Sequence, residues 1–419
     1  MKALILNSGM GTRMGVLASE HPKCMTEISP NETIISRQLT QLADVGIDEV
    51  IITTGRFSDV LEKYCRSLNL PVHIIFVNNP EYKDTNYIYS IYCAREYLDD
   101  DIILMHGDLV FENEVLDQVL ESDSSCMTVS KTLPLPEKDF KAVIKGDRIV
   151  SVGTEFFDDA VAAQPLYKFH KKEWIKWLDK ICLYCESGKK KVYAENALNE
   201  LKGDIDLFPL DVKSLLCGEI DDANDLVLIS SRLEEVESRT VYMSFSTDVV
   251  HGGHIAIIKK AQRLGKLTIG VLSDEAVASY KRFPLLPASE RKKLFSNIKG
   301  VFNVIDQNTL SYKSVLESLK PDFVVHGDDW KTGFQKPIRD EVVSVLLTYG
   351  GKLVEYPYSE DSKYREIEQR TQAELSLPDV RRGRLKKLLN IKGFVTALEA
   401  HNGITGLIVE KTAIYREGA

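Results

Sequence analysis

The chain has 419 residues, of which 44% are hydrophobic and 27% charged, and its formal net charge at pH 7 is −9. This length allows two or three domains with sizeable cores, and the composition is that of ordinary soluble proteins. The negative net charge argues against nucleic-acid binding, and no apolar run is long enough to cross a membrane. Because Met1 leads directly into strand-like residues without the form of a signal peptide, a cytoplasmic location is expected.

The first predicted element is an apolar strand at residues 2–6, which runs into a glycine-rich loop. Glycines let such a loop turn tightly and expose its backbone amides to phosphate groups. Ordinary strand-to-helix turns also contain glycines, but Arg13 and Lys23 add two cations that suit phosphate oxygens. Both cations are predicted to be catalytic. The predicted nucleotide-binding residues of the loop are Asn7, Ser8, Gly9, Met10, Gly11 and Thr12.

Downstream of this loop, strand-like and helical segments alternate. The pattern predicts strands near 49–54, 72–77, 101–106 and 125–130, and helices near 34–45, 57–67, 86–98 and 112–120. Such alternation is typical of a mostly parallel sheet with helices on both faces. Lys141 to Val152 is predicted to be a hairpin insertion that borders an acceptor pocket.

Carboxylates follow in positions that suit a metal ion. Asp108 comes directly after a predicted strand, at the edge of the sheet where open α/β folds bind ligands. Glu219 and Asp221 lie two positions apart on an extended segment, so their side chains share a face. Helix capping is the alternative for Asp108 and for Asp221. Because these oxygens suit Mg²⁺, the three residues are predicted as its ligands.

The loop, with Pro22 and Lys23, resembles the sugar-nucleotidyltransferase superfamily, and in particular its phosphocholine cytidylyltransferase-like branch, over about residues 1–236. The segment from Asn86 to Ser90 resembles that family's Asn-x-x-x-Ser segment beside the base and acceptor, which implies nucleotide-binding roles for both residues. The resemblance implies in-line attack of an acceptor oxyanion on the α-phosphorus of a nucleoside triphosphate. Arg13 and Lys23 would stabilise the pentavalent phosphorus while Mg²⁺ on Asp108 and Asp221 bridges donor and acceptor oxygens.

A second signature lies in the middle of the chain. A strand-like run near 240–246 leads to His251 and His254, which stand at the start of an apolar-periodic helix. Phosphates bind at helix N-termini, and an imidazole there can donate hydrogen bonds to them. A structural histidine pair or a zinc site is the alternative, although no cysteine follows Cys217 to complete a zinc site.

Residues 247–254 resemble the His-x-Gly-His cytidylyltransferase family, and residues 320–330 resemble its second characteristic strand and loop. The resemblance implies catalytic roles for His251 and His254 and nucleotide-binding roles for Gly253 and Asp328. The family's Ile-Ser-Ser-Thr-like stretch is shortened here, at 359–362. Whether the second domain turns over a nucleotide is therefore left open.

The C-terminal segment, residues 373–419, resembles the opening of phosphoenolpyruvate mutase. That family folds as an (α/β)₈ barrel of about 200 residues or more, so only its first elements are present. The segment is expected to be cut from a longer multifunctional polypeptide, with a remnant that serves as an interface or an ordinary terminal helix as alternatives. The mutase forms a carbon–phosphorus bond, so the resemblance implies a phosphonate acceptor such as 2-aminoethylphosphonate. It also implies that a homo-oligomer would form through the missing mutase domain.

The predicted fold class is α/β, with two Rossmann-like three-layer domains that have mostly parallel sheets, plus a short C-terminal barrel fragment. The predicted domains are 1–238, 239–372 and 373–419. The predicted function is Mg²⁺-dependent transfer of CMP from CTP to a phosphonate, with release of pyrophosphate. Transfer to phosphocholine, phosphoethanolamine or another phosphate ester is the first alternative. A nucleotide-sensing or scaffolding module is the second.

Overall fold

The computed structural model describes residues 1–9, 20–247, 249–280 and 284–357, together with Lys386, His401, Ile404 and Thr405. The chain divides into two compact units, Met1–Ser238 (the first unit) and Arg239–Ala419 (the second unit). Within the described ranges, no helix has both the length and the apolar character needed to span a bilayer. The predicted barrel fragment at 373–419 falls outside these ranges apart from the four single positions, so it and the division at 372 stay predictions.

The first unit alternates strands and helices. Its strands are β1 (Lys2–Leu6), β2 (Glu27–Ser29), β3 (Glu32–Thr33), β4 (Glu49–Thr54), β5 (His73–Asn78), β6 (Ile102–His106), β7 (Leu109–Phe111), β8 (Cys126–Ser130), β9 (Lys141–Lys145), β10 (Arg148–Gly153), β11 (Ala160–Phe169), β12 (Phe208–Asp211) and β13 (Cys217–Glu219). Its helices are α1 (Ile34–Asp44), α2 (Ser58–Ser67), α3 (Tyr87–Ala94), α4 (Asn113–Glu121), α5 (Lys171–Glu186), α6 (Ala194–Asn199) and α7 (Ala223–Ser238).

The main sheet of the first unit has nine strands, with the order β10-β9-β11-β6-β1-β4-β5 and with β8 and β12 branching from β11. Its centre is parallel, because β1 pairs in parallel with both β4 and β6, and β4 pairs in parallel with β5. The predicted hairpin forms as the antiparallel pair of β9 and β10. The long strand β11, absent from the predicted alternation, pairs antiparallel with β6, β8 and β9.

Helices cover both faces of this sheet. Side chains alternate along a strand, and accordingly Leu4 and Leu6 join one buried cluster while Ala3 and Ile5 join another on the opposite face. Two separate cores flanking one sheet give the three-layer arrangement.

Strand register brings distant segments to one edge of the sheet. In the parallel pair β1–β6, Leu6 lies beside His106, so the loops that follow both strands begin at the same place. The short ribbon of β7 and β13 then sets Glu219 opposite Leu109. Residues from three parts of the chain thus meet where β1 and β6 end.

The second unit is a parallel α/β sheet with the strand order β16-β15-β14-β17-β18. Its strands are β14 (Thr240–Phe245), β15 (Lys266–Leu272), β16 (Val301–Gln307), β17 (Phe323–Gly327) and β18 (Lys352–Tyr356), and its helices are α8 (Gly252–Gln262), α9 (Asp274–Tyr280), α10 (Ala288–Ser296), α11 (Lys313–Leu319) and α12 (Lys336–Leu347). Every strand pair in this sheet is parallel. The strand order reverses at β14, and such switch points are where open α/β sheets bind ligands. The α/β fold class with mostly parallel sheets is thereby confirmed.

Candidate functional site

A cleft of about 320 Å³ opens at the carboxyl ends of β1 and β6 in the first unit. We call it the first cleft. Its lining includes the following predicted site residues: Asn7, Gly9, Lys23, Asn86, Asp108, Glu219 and Asp221. Sequence segments more than 200 positions apart therefore contribute to one cleft.

Asn7 and Gly107 make the closest approach at the base of the cleft. A Cβ atom built on Gly107 would lie 1.7 Å from the Asn7 Oδ1 atom, so only glycine fits where the two strand ends meet. The buried Nδ2 atom of Asn7 has no hydrogen-bond partner within the described residues. This amide is a donor available to a ligand in the cleft.

Lys23 holds two of the predicted metal ligands. Its Nζ atom donates hydrogen bonds to Asp108 Oδ2 and to Asp221 Oδ1, each at 2.6 Å. Burial alone would lower the pKa of Lys23, but the charges of the two carboxylates and their hydrogen bonds raise it above its ordinary value. The pKa of Asp108, which burial would raise, is lowered because Lys23 lies against it. The cleft therefore holds an ammonium group between two carboxylates.

His106 and Glu219 lie beside Asp108 in the same cleft. His106, Asp108 and Glu219 each offer one ligand atom, and these atoms lie within 4.8 Å of one another. His106 Nδ1 is 2.9 Å from Glu219 Oε1, and the buried His106 Nε2 and Asp108 Oδ1 atoms lack hydrogen-bond partners among the described residues. Burial and the charge of Asp108 raise the pKa of Glu219. Burial would lower the pKa of His106, but the hydrogen bond to Glu219 raises it.

This arrangement fits a divalent cation. Buried carboxylates that face one another repel, and a cation between them removes that repulsion. Oxygen ligands from Asp108 and Glu219 suit Mg²⁺, whereas a histidine nitrogen is more typical of transition metals. His106 is better placed to orient Glu219 through its hydrogen bond, as groups behind metal ligands do.

Helix capping, the alternative role for Asp108 and Asp221, is performed by Asp222 instead. The carboxylate of Asp222 accepts hydrogen bonds from the Asn224 and Asp225 backbone N–H groups at the start of α7, at 2.7 and 3.1 Å. Asp108 precedes β7 instead of a helix, and α4 begins only at Asn113, after Glu112. Asp108 and Asp221 thus stay in the cleft, while Asp222 caps the helix.

Ser8 and Ser90 lie behind the cleft instead of lining it. Ser8 is 5% exposed and Ser90 is fully buried, and their hydroxyl groups hydrogen-bond to each other. Asn79 Nδ2 donates a hydrogen bond of 3.0 Å to Ser90 Oγ. The nucleotide-binding roles predicted for both serines stay predictions; burial turns their hydroxyl groups toward each other, where they hold the start of the loop against α3. Asn86 caps α3 by accepting from the Tyr87 N–H, and it lines the cleft.

The rest of the predicted phosphate loop, Met10, Gly11, Thr12 and Arg13, lies outside the described residues. Gly9, the last described residue before it, lines the cleft, and no described atom lies within 4 Å of the place where its Cβ would stand. The roles predicted for these four residues stay predictions.

Aromatic rings form one wall of the first cleft, and the sequence reasoning did not single them out. Tyr87 lies edge-on to His106 at 5.0 Å between ring centroids, and Phe140 lies edge-on to Tyr193 at the same distance. The Tyr87 hydroxyl donates to buried Glu195, which also accepts from Tyr167. No local motif marks these residues, because they come from α3, from the segment before β9 and from the segment before α6.

The second unit contains its own cleft of about 500 Å³, at the switch point of its sheet. We call it the second cleft; its lining includes His251, Gly253 and His254. His251 caps α8, because its Nδ1 atom accepts a 3.0 Å hydrogen bond from the Gly253 N–H. The neutral ring therefore carries its proton on Nε2. The His254 ring lies 3.8 Å from that of His251, so both imidazoles stand at a helix N-terminus, as predicted.

The loop after β17 completes the second cleft. The rings of His326 and Trp330 stack at 3.7 Å, and Trp330 Nε1 donates to Glu355 Oε1 at 2.7 Å. Asp329 lines the cleft, whereas Asp328 opens the short 3-10 helix Asp328–Lys331 and is absent from the lining. The nucleotide-binding role predicted for Asp328 stays a prediction.

Two domain families match the sequence. Residues 3–178 match the MobA-like NTP transferase domain, and residues 246–363 match the cytidylyltransferase-like family. Neither match reaches half of the 419 residues. The two resemblances predicted for the two halves of the chain agree with these matches, and the resemblance of the C-terminal segment to the mutase stays a prediction.

Relatives of known activity are similar to parts of the chain. CMP-5'-(3-aminopropyl)phosphonate synthase of Streptomyces rubellomurinus is 32% identical over 161 residues, which are 38% of this chain and 25% of that protein. CTP:phosphoglutamine cytidylyltransferase of Campylobacter jejuni is 25% identical over 226 residues, which are 48% of this chain and 88% of that enzyme. The solved CTP:phosphocholine cytidylyltransferase of Streptococcus pneumoniae aligns with 55% of this chain and 98% of its own, at a TM-score of 0.46 and 20% identity.

These proteins are nucleotidyltransferases, which is the predicted enzyme class. The chain spans only a quarter of the length of the Streptomyces protein.

Proposed function

We propose that the first unit transfers CMP from CTP to a small phosphonate, with 2-aminoethylphosphonate as the leading acceptor, and releases pyrophosphate. One observation carries the proposal: Lys23 lies between Asp108 and Asp221 in a cleft whose edge is the start of the predicted phosphate loop. An ammonium group and acidic metal ligands at one place suit a polyphosphate, which brings several negative charges and its own cation.

The proposed reaction is an in-line displacement. An oxygen of the acceptor phosphonate forms a bond to the α-phosphorus of CTP, the bond to the bridging oxygen of the β-phosphate breaks, and pyrophosphate leaves with that electron pair. The acceptor oxygen is already ionised at neutral pH, so no general base is required. Lys23 and Arg13 would neutralise charge on the transferring phosphoryl group, while Asn7 Nδ2 offers a donor at the base of the cleft.

Asp108, Glu219 and Asp221 would hold Mg²⁺. When bound, the ion would neutralise phosphate charge next to the carboxylates. The two unpartnered buried atoms in this cluster, His106 Nε2 and Asp108 Oδ1, support a ligand at this place. His106 would keep Glu219 oriented through its hydrogen bond.

An amine-bearing acceptor agrees with the aromatic wall. Ring faces and carboxylates attract an ammonium group, and Tyr87, Phe140 and Tyr193 line the cleft together with Asp139 and Glu219. Two observations favour a phosphonate: the resemblance of residues 373–419 to the mutase, and the similarity of part of the chain to an aminopropylphosphonate synthase. Phosphocholine and phosphoethanolamine, which also carry cationic nitrogen, are the alternative acceptors.

For the second unit we propose nucleotide binding by the N-terminus of α8. The proton on His251 Nε2 and the first amides of the helix would meet the phosphates, with His254 beside them. A nucleotide-sensing role is the alternative for this unit, because the family motif is shortened at residues 359–362. We place both units in the cytoplasm, without a nucleic-acid partner.

Pyrophosphate release tests the proposal. The purified chain is assayed with Mg²⁺ and each of CTP, UTP, GTP and ATP, and with 2-aminoethylphosphonate, phosphocholine or phosphoethanolamine as the acceptor. Turnover that requires both CTP and the phosphonate supports the full proposal. Turnover with a phosphate ester in its place keeps the reaction but rejects the phosphonate, and no turnover with any pair rejects the transferase.

A further inference from the structure

One buried lysine in the first unit lies beside the first cleft without lining it. Lys141, the first residue of β9, is fully buried. Its Nζ atom donates hydrogen bonds to the carbonyl oxygens of Glu137 and Asp139, at 3.2 Å each, and of Thr154, at 2.7 Å. The Phe157 ring lies 4.1 Å from the ammonium group. The three donors of the lysine are thus used on three backbone carbonyls.

Burying an ammonium group is costly unless its donors are satisfied, so lysine is rarely fully buried. An apolar residue could fill the same strand position without that cost. The contribution of Lys141 is therefore geometric: it fixes three carbonyl groups around one point.

These carbonyls belong to the two chain segments at the base of the β9–β10 hairpin. Residues 137–140 enter the hairpin and Thr154 leaves it. Lys138, Asp139, Phe140 and Thr154 line the first cleft. Phe140 also packs edge-on against Tyr193 in the aromatic wall. One ammonium group thus joins the two segments that form this side of the cleft.

We infer that Lys141 is a positioning residue for the acceptor: it holds residues 138–140 and Thr154 in the geometry that binds the acceptor during transfer. The inference rests on the function proposed for the first unit. Misplacing a binding wall by about 1 Å can reduce kcat/KM for the substrate that it binds by about a hundredfold. We therefore expect loss of Lys141 to change the use of the acceptor more than the use of CTP, because the carbonyl groups that it holds belong to the β9–β10 hairpin and not to the loop that begins at Asn7.

The chain contains a matched control. Lys168 in β11, a strand of the same sheet, is 5% exposed, and its Nζ atom donates to the carbonyl oxygens of Leu120 and Ser122 at 2.9 and 2.6 Å. Those carbonyls lie at the end of α4, and neither residue belongs to the lining of the first cleft. Lys168→Met and Lys141→Met therefore remove the same kind of buried contact from two places.

The experiment measures steady-state kinetics of the full chain with CTP and the acceptor that the wild type uses. For Lys141→Met we expect the KM for the acceptor to rise about tenfold or more, with the KM for CTP and kcat within about threefold of the wild type. Lys168→Met is expected to keep all three values. Hydrogen exchange provides a second readout, in which residues 137–140 and 154–157 exchange faster in Lys141→Met alone.

Phe157→Ala covers the case in which Lys141→Met does not fold. Phe157 is 53% exposed, so its removal leaves the core intact, and the loss of its contact with the ammonium group should raise the KM for the acceptor about twofold to fivefold. An unchanged KM for the acceptor in the folded variants, or an equal change in Lys168→Met, overturns the inference. If the wild type transfers no CMP, the proposed function fails, whatever the role of Lys141. The positioning role is then tested by hydrogen exchange alone, and equal exchange rates of residues 137–140 in Lys141→Met and Lys168→Met reject it.

Discussion

The two clefts lie at corresponding edges of their sheets, but they offer phosphate groups different chemistry. The first cleft contains opposite charges already in contact, with Lys23 bonded to Asp108 and to Asp221. The second contains imidazoles at a helix N-terminus, His251 and His254. Among the described residues, the cluster with metal-ligand geometry, His106, Asp108 and Glu219, lies in the first cleft.

The position of a site in an α/β sheet therefore does not determine how that site neutralises the negative charge of a bound phosphate. A lysine and a metal ion held by carboxylates neutralise a polyphosphate with full positive charges, whereas a helix N-terminus and neutral imidazoles rely on hydrogen bonds and partial charges. We therefore expect nucleotide handling by the first unit to depend on Mg²⁺ more strongly than nucleotide binding by the second.

The largest expected effect comes from Asp108→Asn. The substitution keeps the volume of the side chain but removes the charge that faces Lys23 and the proposed ion, so we expect pyrophosphate release to fall by about a hundredfold to a thousandfold. Asp222→Asn is the matched control, because asparagine also caps helices well. Circular dichroism checks that both variants are folded. Turnover of Asp108→Asn within tenfold of the wild type would contradict the metal assignment.

Lys23→Met sharpens the comparison by removing the cation of the first cleft. The carboxylates of Asp108, Asp221 and Glu219 would then repel one another, so we expect a lower Tm without metal and a larger rise in Tm on adding Mg²⁺ than in the wild type. Pyrophosphate release should fall about a hundredfold. Lys23→Arg, which keeps the charge, is expected to keep the wild-type response of Tm to Mg²⁺. A response to Mg²⁺ that is the same in Lys23→Met and the wild type argues against the role given to this ammonium group.

His254→Ala tests the second cleft. Losing a hydrogen bond to a phosphate costs about 1.5–3 kcal/mol, so we expect nucleotide affinity of the second unit to fall about tenfold to a hundredfold, measured by titration calorimetry. His73→Ala, which replaces an exposed histidine at the start of β5, is the control. If His254→Ala reduces pyrophosphate release as strongly as Asp108→Asn does, the reacting site lies in the second unit.

The smallest expected effect concerns the stability of the second unit in acid. Arg339 donates two hydrogen bonds to Glu355, at 2.8 and 2.9 Å, and these lower the pKa of Glu355 below its ordinary value of 4.5. A carboxyl group with a lowered folded-state pKa stabilises the fold above the ordinary pKa and loses this contribution as pH falls through the folded-state value. We therefore expect the urea midpoint of the second unit to fall with pH below about 4.5.

Glu355→Gln should flatten this dependence. Asp340→Asn, which removes an exposed carboxylate 3.8 Å from the same arginine, should leave it unchanged. Equal slopes in the wild type and in Glu355→Gln, measured by circular dichroism in urea, would show that another group governs the acid response.

Local patterns in the sequence predicted much of this fold. The strands found at 49–54, 73–78, 102–106 and 126–130 match the predicted ones closely, because the period of apolar residues reflects burial on one face. The long strand β11 was not predicted. β11 contains buried Lys168 and Gln164, so its polar residues obscure the apolar pattern.

The sequence predicted those site residues that belong to short local patterns. Lys23, Asp108, Glu219 and Asp221 were found from their residue types and local spacing, and all of them line the first cleft. His106 was missed because its partner Glu219 is 113 positions away. For Ser8 and Ser90 the motif marks the residues but not the direction of their hydroxyl groups, which face each other in the structure.

The sequence by itself determined the α/β alternation, the phosphate-loop signature, the carboxylates Asp108, Glu219 and Asp221 of the first cleft, and the pair His251 and His254 of the second, because these depend on residue type and on spacing within one element. Only the tertiary structure decided which of these residues meet. The parallel pairing of β1 with β6 and the ribbon of β7 and β13 bring His106, Asp108 and Glu219 to one point. The buried ammonium group of Lys141 is a further case, since its function depends on carbonyl groups that come together only when both ends of a hairpin close.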